Sequence, residues 1–238
     1  MRNRGNTENR ENIIVSENVR ILLKSSEPLR WLFYGDSITH GACHTFGKRD
    51  FSEIFREHIV WETGRKNDLV LNSAYSGFTC RELLRDFDFR AAAFRPHAAF
   101  VMIGSNDCVR YPKEEFDGNL EQLLKFFRGI GCRVILQTPP PVITPLDPER
   151  GKNLAIFRDV LLQFAAKEEL DLIDHWELWN RLSPQDRYYL MSDPLHPNGE
   201  GHLKIAQDIF RFLNDFTQDT PMCRIQPGPR IFPEQKDA

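Results

Sequence analysis

The chain has 238 residues, of which 41% are hydrophobic and 27% are charged, and its formal net charge is −3. This length and composition suit one globular domain with a substantial core, and the charge balance argues against a nucleic-acid partner. No apolar run approaches the roughly 18 residues that indicate a membrane-spanning helix, so the sequence excludes a membrane span.

The polar N-terminal segment MRNRGNTENRENIIVSENVR lacks the apolar region of a secretory signal peptide. The five cysteines are an odd number and show no paired spacing. A reducing, cytoplasmic compartment therefore fits best. The oligomeric state does not follow from these features, and a homo-oligomer is compatible with them.

The predicted elements begin after a polar lead-in, residues 1–28, which contains one candidate strand at NVRILL (18–23). The further predicted strands are WLFYG (31–35), DLVLNSA (68–74), AAFVMIGS (98–105), RVILQTP (133–139) and LDLIDH (170–175). The predicted helices cover approximately residues 50–65, 79–93, 114–130, 150–169 and 199–214. Such nearly continuous apolar strands, alternating with helices, predict an α/β fold with a parallel sheet covered on both faces. A tail with several prolines, 218–238, is expected to be extended or loosely attached.

Polar residues and glycines lie at the ends of three of the predicted strands, in the loops after them, and before the last predicted helix. They are, in chain order, Gly35, Asp36, Ser37, Asn72, Gly77, Gly104, Ser105, Asn106, Asp107, Asp193 and His196. Because the carboxyl ends of parallel strands meet at one edge of a sheet, we expect these residues to converge on a site.

Three of these residues suit nucleophilic catalysis. A serine hydroxyl such as that of Ser37 needs a base to remove its proton, and His196 is a suitable base near neutral pH. A turn through the prolines around His196 would bring Asp193 to the other imidazole nitrogen, where a carboxylate holds the tautomer. The backbone N–H groups of Ser37 and Gly77 and the side-chain amide of Asn106 are candidate donors to a substrate oxyanion.

GDSIT (35–39), Asn72 followed by Gly77, GSND (104–107) and DPLH (193–196) resemble the four motif blocks of the SGNH, or GDSL, hydrolases. The resemblance implies a three-layer α/β/α, flavodoxin-like fold with a five-stranded parallel sheet, spanning residues 29–217. It also implies ester hydrolysis by a serine esterase without metal or organic cofactor. The single-domain carbohydrate O-acetylesterases of this family are the most similar branch.

Within this resemblance, Ser37, Asp193 and His196 are the expected catalytic residues, and Ser37, Gly77 and Asn106 the expected oxyanion hole. The expected supporting residues are Asp36, Asn72, Gly104 and Asp107. Asp36 is interpreted as holding the turn after the first strand, and Gly35 as permitting the sharp exit from that strand.

Structural alternatives remain for the same residues. Ser37 is also a candidate turn or helix-cap residue, Gly77 a strand terminator, and Asn106 a helix cap. If Asp193 only caps a helix or holds a turn, the site is a Ser37–His196 dyad.

The segment HGACH (40–44) carries metal-binding atoms on His40, Cys43 and His44. No second ligand cluster at the spacing of a structural zinc site accompanies it, so no metal is predicted. Cys43, Cys80 and Cys108 each follow a motif block and are predicted to be buried, inert thiols.

The favoured function is removal of a short acyl group, acetyl above all, from a carbohydrate or similar polar alcohol through an acyl-serine intermediate. A lysophospholipase or thioesterase is the alternative within enzymes, and a non-catalytic binding module of the same fold is the alternative outside them. The sequence contains no G-x-S-x-G of conventional α/β-hydrolases and no G-x-G-x-x-G of dinucleotide-binding proteins.

Overall fold

The computed structural model describes residues 17–217 and 219–227. Most of the predicted lead-in and the end of the predicted tail therefore lie outside the described residues. The strands are β1 (Arg30–Gly35), β2 (Leu69–Asn72), β3 (Ala98–Met102), β4 (Arg133–Gln137) and β5 (Asp171–Ile173). They form one sheet in the order β2-β1-β3-β4-β5, and all four neighbouring pairs are parallel. The predicted five-stranded parallel sheet is confirmed.

The helices connect the strands and cover both faces of the sheet. In chain order they are α1 (Glu17–Leu23), α2 (Ser37–His40), α3 (Phe51–Glu57), α4 (Cys80–Arg85), α5 (Phe87–Arg90), α6 (Asp107–Arg110), α7 (Lys113–Gly129), α8 (Pro148–Lys167), α9 (His175–Asn180), α10 (Pro184–Tyr189), α11 (Gly199–Phe212) and α12 (Pro221–Arg224). A π-helix, His58–Glu62, continues α3, and a 3₁₀ turn, Ala92–Phe94, follows α5.

Alternate side chains of β1 divide the core into two layers. In β1, Leu32 and Tyr34 belong to one apolar cluster, which includes residues of α4, α7 and α8. Trp31 and Phe33 belong to the other cluster, which includes residues of α3 and α11. Successive side chains of a strand point to opposite faces, so an unbroken apolar run is what a strand buried on both faces requires. The protein is thus a three-layer α/β/α structure.

The strand order places a ligand crevice at one edge of this sheet. The chain runs from β1 to β2 on one side and then crosses to β3 on the other side. This is the flavodoxin-like order, in which ligands bind outside the carboxyl ends of the strands where the direction of winding reverses. That edge holds the ends of β1 and β3, which carry Asp36, Ser37 and the GSND segment.

Two predictions about the ends of the chain are wrong where the structure describes them. NVRILL lies in helix α1, not in a strand, because Val19, Leu22 and Leu23 share one face and pack into the cluster on the α11 side. Arg20 fastens this helix by donating from Nε and Nη2 to the Phe212 carbonyl, at 3.3 and 3.0 Å.

The described part of the tail, 219–227, is packed and not extended. It contains α12, where Cys223 is buried. Gln207 of α11 donates to the carbonyls of Met222 and Ile225 at 2.9 and 2.7 Å. Among the helices described, none combines the length and the apolar character needed to cross a membrane.

Candidate active site

Ser37 stands at the first position of α2, directly after β1 and its capping residue. Asp36 caps this helix by accepting the Ile38 N–H at 3.0 Å. Ser37 is therefore not the cap, and its hydroxyl is free for another partner. As the first helical residue, it also has a backbone N–H without a partner inside the helix.

Gly35 is required at the end of β1 by close packing and not by an unusual backbone angle. A Cβ atom at this position would overlap the Met102 carbonyl oxygen of the neighbouring strand and lie 2.7 Å from Thr39 Oγ1. Gly35 does not adopt a positive φ. The expectation that glycine permits a sharp exit is therefore corrected: only glycine lets α2 begin so close to β3.

A chain of short contacts joins Ser37, His196 and Asp193. Ser37 Oγ lies 2.9 Å from His196 Nε2, and His196 Nδ1 lies 2.8 Å from Asp193 Oδ2. A carboxylate can only accept, so Nδ1 carries the proton and Nε2 accepts from the serine hydroxyl. This tautomer is the one in which His196 can remove the serine proton.

Asp193 holds a turn and contacts the imidazole at the same time. Its Oδ1 accepts the backbone N–H groups of Leu195 and His196, each at 2.8 Å. Burial acts to raise the pKa of Asp193, but the His196 and Leu195 N–H groups and the His196 ring outweigh it and lower the pKa below the usual value. The carboxylate is thus ionised at neutral pH, and the turn and triad interpretations of Asp193 are compatible.

The candidate oxyanion donors lie on loops that hydrogen bonds join together. Asn106 is only 8% exposed, and its Nδ2 donates to the Phe78 carbonyl at 2.9 Å. It occupies the N-cap position of α6 without a side-chain capping bond, and its second amide hydrogen remains for a ligand. Gly77 follows β2 by five residues and has φ of 83°, so it is not the strand terminator.

Asp36 connects the serine to the GSND loop. Ser105 Oγ donates to Asp36 Oδ2, which ties the ends of β1 and β3 together. Arg150, from the first turn of α8, donates to the Ser105 carbonyl at 2.5 Å. Sequence analysis missed Arg150, because nothing in the local pattern around it differs from an ordinary helix start.

The remaining predicted supporting residues hold the surrounding loops. Asn72 Nδ2 donates to the Thr39 carbonyl at 2.7 Å, and its Oδ1 accepts the Ala74 N–H. Asp107 is buried and accepts the Cys80 N–H at 2.8 Å. Burial raises the pKa of Asp107 to about 7, and the nearby Asp36 contributes to the rise. Gly104 has φ of 116°, at the turn into the loop.

The sequence offers His44 only as a candidate metal-binding residue, yet its ring stacks on the ring of His196. The ring centroids are 3.6 Å apart and the ring planes differ by 5°. Donor atoms of His44, Asp193 and His196 lie within 4.8 Å of one another. The arrangement does not suit a shared ion, because imidazole lone pairs lie in the ring plane and the two planes are stacked. His40, also in HGACH, instead pairs with Ser76 Oγ at 3.0 Å.

The cysteines near the motif blocks differ in exposure. Cys80 and Cys108 are buried as predicted, whereas Cys43 is exposed, so the prediction is wrong for Cys43. Burial raises the pKa of Cys108 to about 12, which keeps it a thiol at neutral pH.

A model of the GDSL-like lipase/acylhydrolase family matches residues 33–204, a span that includes all four motif blocks. The chain belongs to this family. Membership confirms the resemblance to SGNH/GDSL hydrolases and the predicted class of enzyme, a serine esterase.

Solved structures with the same architecture include known esterases. Axe2, an acetylxylan esterase from Geobacillus stearothermophilus, is 22% identical with a TM-score of 0.61, covering 78% of this chain and 94% of that one. The acetyl xylan esterase AlAXEase is 16% identical with a TM-score of 0.68, covering 77% and 98%. LAE5, an alpha/beta hydrolase from the metagenome of Lake Arreo, Spain, is 21% identical with a TM-score of 0.66, covering 82% and 99%. At these identities the likeness is one of fold.

One curated relative of this GDSL-family chain is an uncharacterized protein of Mycoplasma pneumoniae. It is 31% identical over 147 residues, which are 58% of this chain and 16% of that protein. The matched region of the chain thus spans about a sixth of the relative's length.

Proposed function

We propose that the protein removes a short acyl group, acetyl above all, from a carbohydrate or similar polar alcohol through an acyl-Ser37 intermediate. The observation that carries this proposal is the chain of contacts from Ser37 Oγ through His196 to Asp193, at 2.9 and 2.8 Å. A hydroxyl, a correctly oriented imidazole and an ionised carboxylate are the parts that a serine esterase needs.

The proposed mechanism gives Ser37, His196 and Asp193 a role each. His196 Nε2 takes the proton of Ser37 while Oγ forms a bond to the ester carbonyl carbon. The imidazolium then gives this proton to the departing alcohol oxygen as the ester bond breaks, which leaves the acyl-serine. Water repeats the sequence with His196 as base, releases the acid and restores Ser37. Asp193 stabilises the imidazolium in both halves.

The N–H groups of Ser37 and Gly77 and the free amide hydrogen of Asn106 are proposed to bind the oxyanion. Hydrogen bonds among these loops support a preorganised set of donors: Asn106 to Phe78, and Arg110 Nη1 to the Gly77 carbonyl at 2.7 Å. Preorganised donors stabilise developing charge without a cost of reorientation during the reaction.

Asn106→Ala is expected to lower kcat by about 10²–10³ with a smaller change in KM, because the amide is needed mainly as charge develops. Steady-state kinetics on a small acetyl ester measures both constants, and thermal unfolding reports the separate effect of losing the bond to Phe78. A raised KM with unchanged kcat would instead make Asn106 a ground-state binding residue and contradict the oxyanion assignment.

Polar groups around the site support a polar alcohol as the leaving group. His40, the last residue of the helix that carries Ser37, pairs with Ser76, and Arg110, at the end of α6, donates to the Gly77 carbonyl. Two proteins with the same fold, Axe2 and AlAXEase, are acetylxylan esterases, which favours an acetylated carbohydrate.

An acyl-chain series tests the substrate class. With p-nitrophenyl esters from acetate to octanoate, we expect kcat/KM to be highest for acetate and to fall with chain length. A panel of acetylated sugars, with free acetate measured, then identifies the alcohol. Activity that rises from acetate to octanoate would show that the acetylesterase assignment is wrong and would favour the lysophospholipase or thioesterase alternative.

We also propose a cytoplasmic location. All five cysteines are free thiols, which supports a reducing compartment.

A further inference from the structure

The loop after α2 places an aromatic ring on the face of His196. The His44 and His196 rings are stacked almost parallel, with centroids 3.6 Å apart. His44 Nδ1 also lies 3.4 Å from Asp193 Oδ2 and 3.4 Å from Ser192 Oγ. His44 therefore contacts both His196 and Asp193. It leaves intact the hydrogen bonds from Ser37 to His196 and from His196 to Asp193.

Local turns hold His44 in this position. The His44 N–H donates to the Ala42 carbonyl at 2.8 Å, the Phe46 N–H to Cys43 at 3.2 Å and the Lys48 N–H to Thr45 at 3.0 Å. Thr45, the next residue, is buried. Because these hydrogen bonds fix the loop, His44 loses little side-chain entropy when the reaction begins.

The charges at the site require one neutral ring in the stack. Two imidazolium rings at this separation would repel each other. Burial and the neighbouring His196 lower the pKa of His44, although Asp193 acts in the opposite direction. His44 is thus the ring that stays neutral when His196 becomes charged during attack.

The contact of His44 Nδ1 with Asp193 is a weak one. At 3.4 Å, the distance from His44 Nδ1 to Asp193 Oδ2 is longer than a good hydrogen bond, whereas His196 Nδ1 approaches the same oxygen to 2.8 Å. An aromatic face attracts a cation placed over it. The stack therefore favours the charged state of His196 that forms only as the reaction proceeds.

We propose that His44 is a positioning residue of the esterase: its ring holds the His196 imidazole with Nε2 directed at Ser37 and stabilises the imidazolium formed during attack. The proposal rests on the Ser37–His196 chemistry proposed above. It adds a residue from outside the four motif blocks to the working site.

Three substitutions at His44 distinguish the effect of its aromatic ring from the effect of its Nδ1 atom. His44→Ala removes both, His44→Phe keeps an aromatic face without a nitrogen, and His44→Gln keeps a polar group without a ring. We expect His44→Ala and His44→Gln to lower kcat on p-nitrophenyl acetate about tenfold, the size of one cation–π contact. KM is expected to change little, and His44→Phe to recover most of the lost kcat.

Lys48→Ala is the matched control in the same loop. It removes an ion pair to Glu200 of a kind that contributes little at a surface, and it should leave kcat unchanged. If Lys48→Ala lowers kcat as much as His44→Ala does, a general loosening of the loop explains the loss and the proposal is wrong.

The other outcomes are equally decisive. Unchanged kcat in His44→Ala would overturn the proposal, and recovery by His44→Gln but not by His44→Phe would assign the effect to the Asp193 contact instead. Ser37→Ala, assayed in parallel, distinguishes a failure of the proposed esterase function from a failure of the proposed role of His44 alone. Turnover that is absent in the wild type or independent of Ser37 refutes the proposed function, and the role of His44 with it. Turnover that depends on Ser37 but not on His44 refutes the role of His44 alone.

Discussion

Ser37→Ala is expected to reduce esterase turnover by about 10⁴-fold or more, because the acyl intermediate is proposed to form on the Ser37 hydroxyl. The Ser37 side chain is 6% exposed, and its Oγ lies against the imidazole that would take its proton. Loss of one small hydroxyl leaves no cavity of consequence, so the free energy of unfolding should change by less than about 1 kcal/mol.

Two measurements check this expectation. Initial rates on p-nitrophenyl acetate give the loss of turnover, and labelling by a serine-reactive fluorophosphonate should disappear in the variant. Ser73→Ala is the matched control, since Ser73 also follows a strand end, that of β2, and should keep both activity and labelling. A Ser37→Ala variant that retains more than about a tenth of wild-type turnover would exclude Ser37 as the nucleophile.

Asp193→Asn is expected to lower the maximal rate by about 10³–10⁴-fold and to shift the acid limb of kcat/KM to lower pH. The asparagine oxygen can still accept the N–H groups of Leu195 and His196, so the turn should survive. The amide nitrogen would then face His196 Nδ1 as a donor. That contact favours the tautomer with the proton on Nε2, which cannot accept the proton of Ser37.

The direction of the pH shift follows from charge. Attack on the ester needs neutral His196, so kcat/KM falls as the pH drops and the ring becomes protonated. The Asp193 carboxylate favours the protonated ring. Without that charge, the acid limb of kcat/KM should move to lower pH.

Stability limits the pH range of this measurement. The pKa of Asp193 is lowered from its ordinary value of 3.8. Its contribution to folding is therefore fully present above that value and is lost as the pH falls through the lowered pKa. Profiles should be recorded from about pH 5 upward. Asp159→Asn, which removes a charge from an exposed position on α8, controls for the change in net charge. If Asp193→Asn leaves the acid limb and the maximal rate unchanged, the site is a Ser37–His196 dyad.

The sequence by itself determined the fold class and the places where polar residues meet. Strands β1, β3 and β4 are local apolar runs that are buried on both faces, so the apolar run alone predicts the strand. The four motif blocks follow these runs or precede the last helix, so their convergence at one edge follows from parallel topology. The sequence therefore predicted that Ser37, Asn106 and His196 lie at this edge, and their catalytic roles stay a proposal.

The structure of short segments without a clear hydrophobic period did not follow from the sequence in this way. NVRILL is apolar enough for a strand, and only its packing beside α11, with Arg20 bound to Phe212, makes it a helix. The tail after residue 218 has the composition of a loose segment, yet Gln207 binds its backbone. In both cases the deciding contacts come from helix α11, outside the segment itself.

Only the tertiary structure decided the surroundings of the proposed catalytic residues. Gly35 is needed because β3 and α2 approach it closely, Arg150 reaches the GSND loop from α8, and His44 covers His196 from a loop about 150 residues earlier in the chain. A motif specifies which groups react, since their chemistry is intrinsic to the side chains. What packs around them depends on distances between segments that no local pattern encodes.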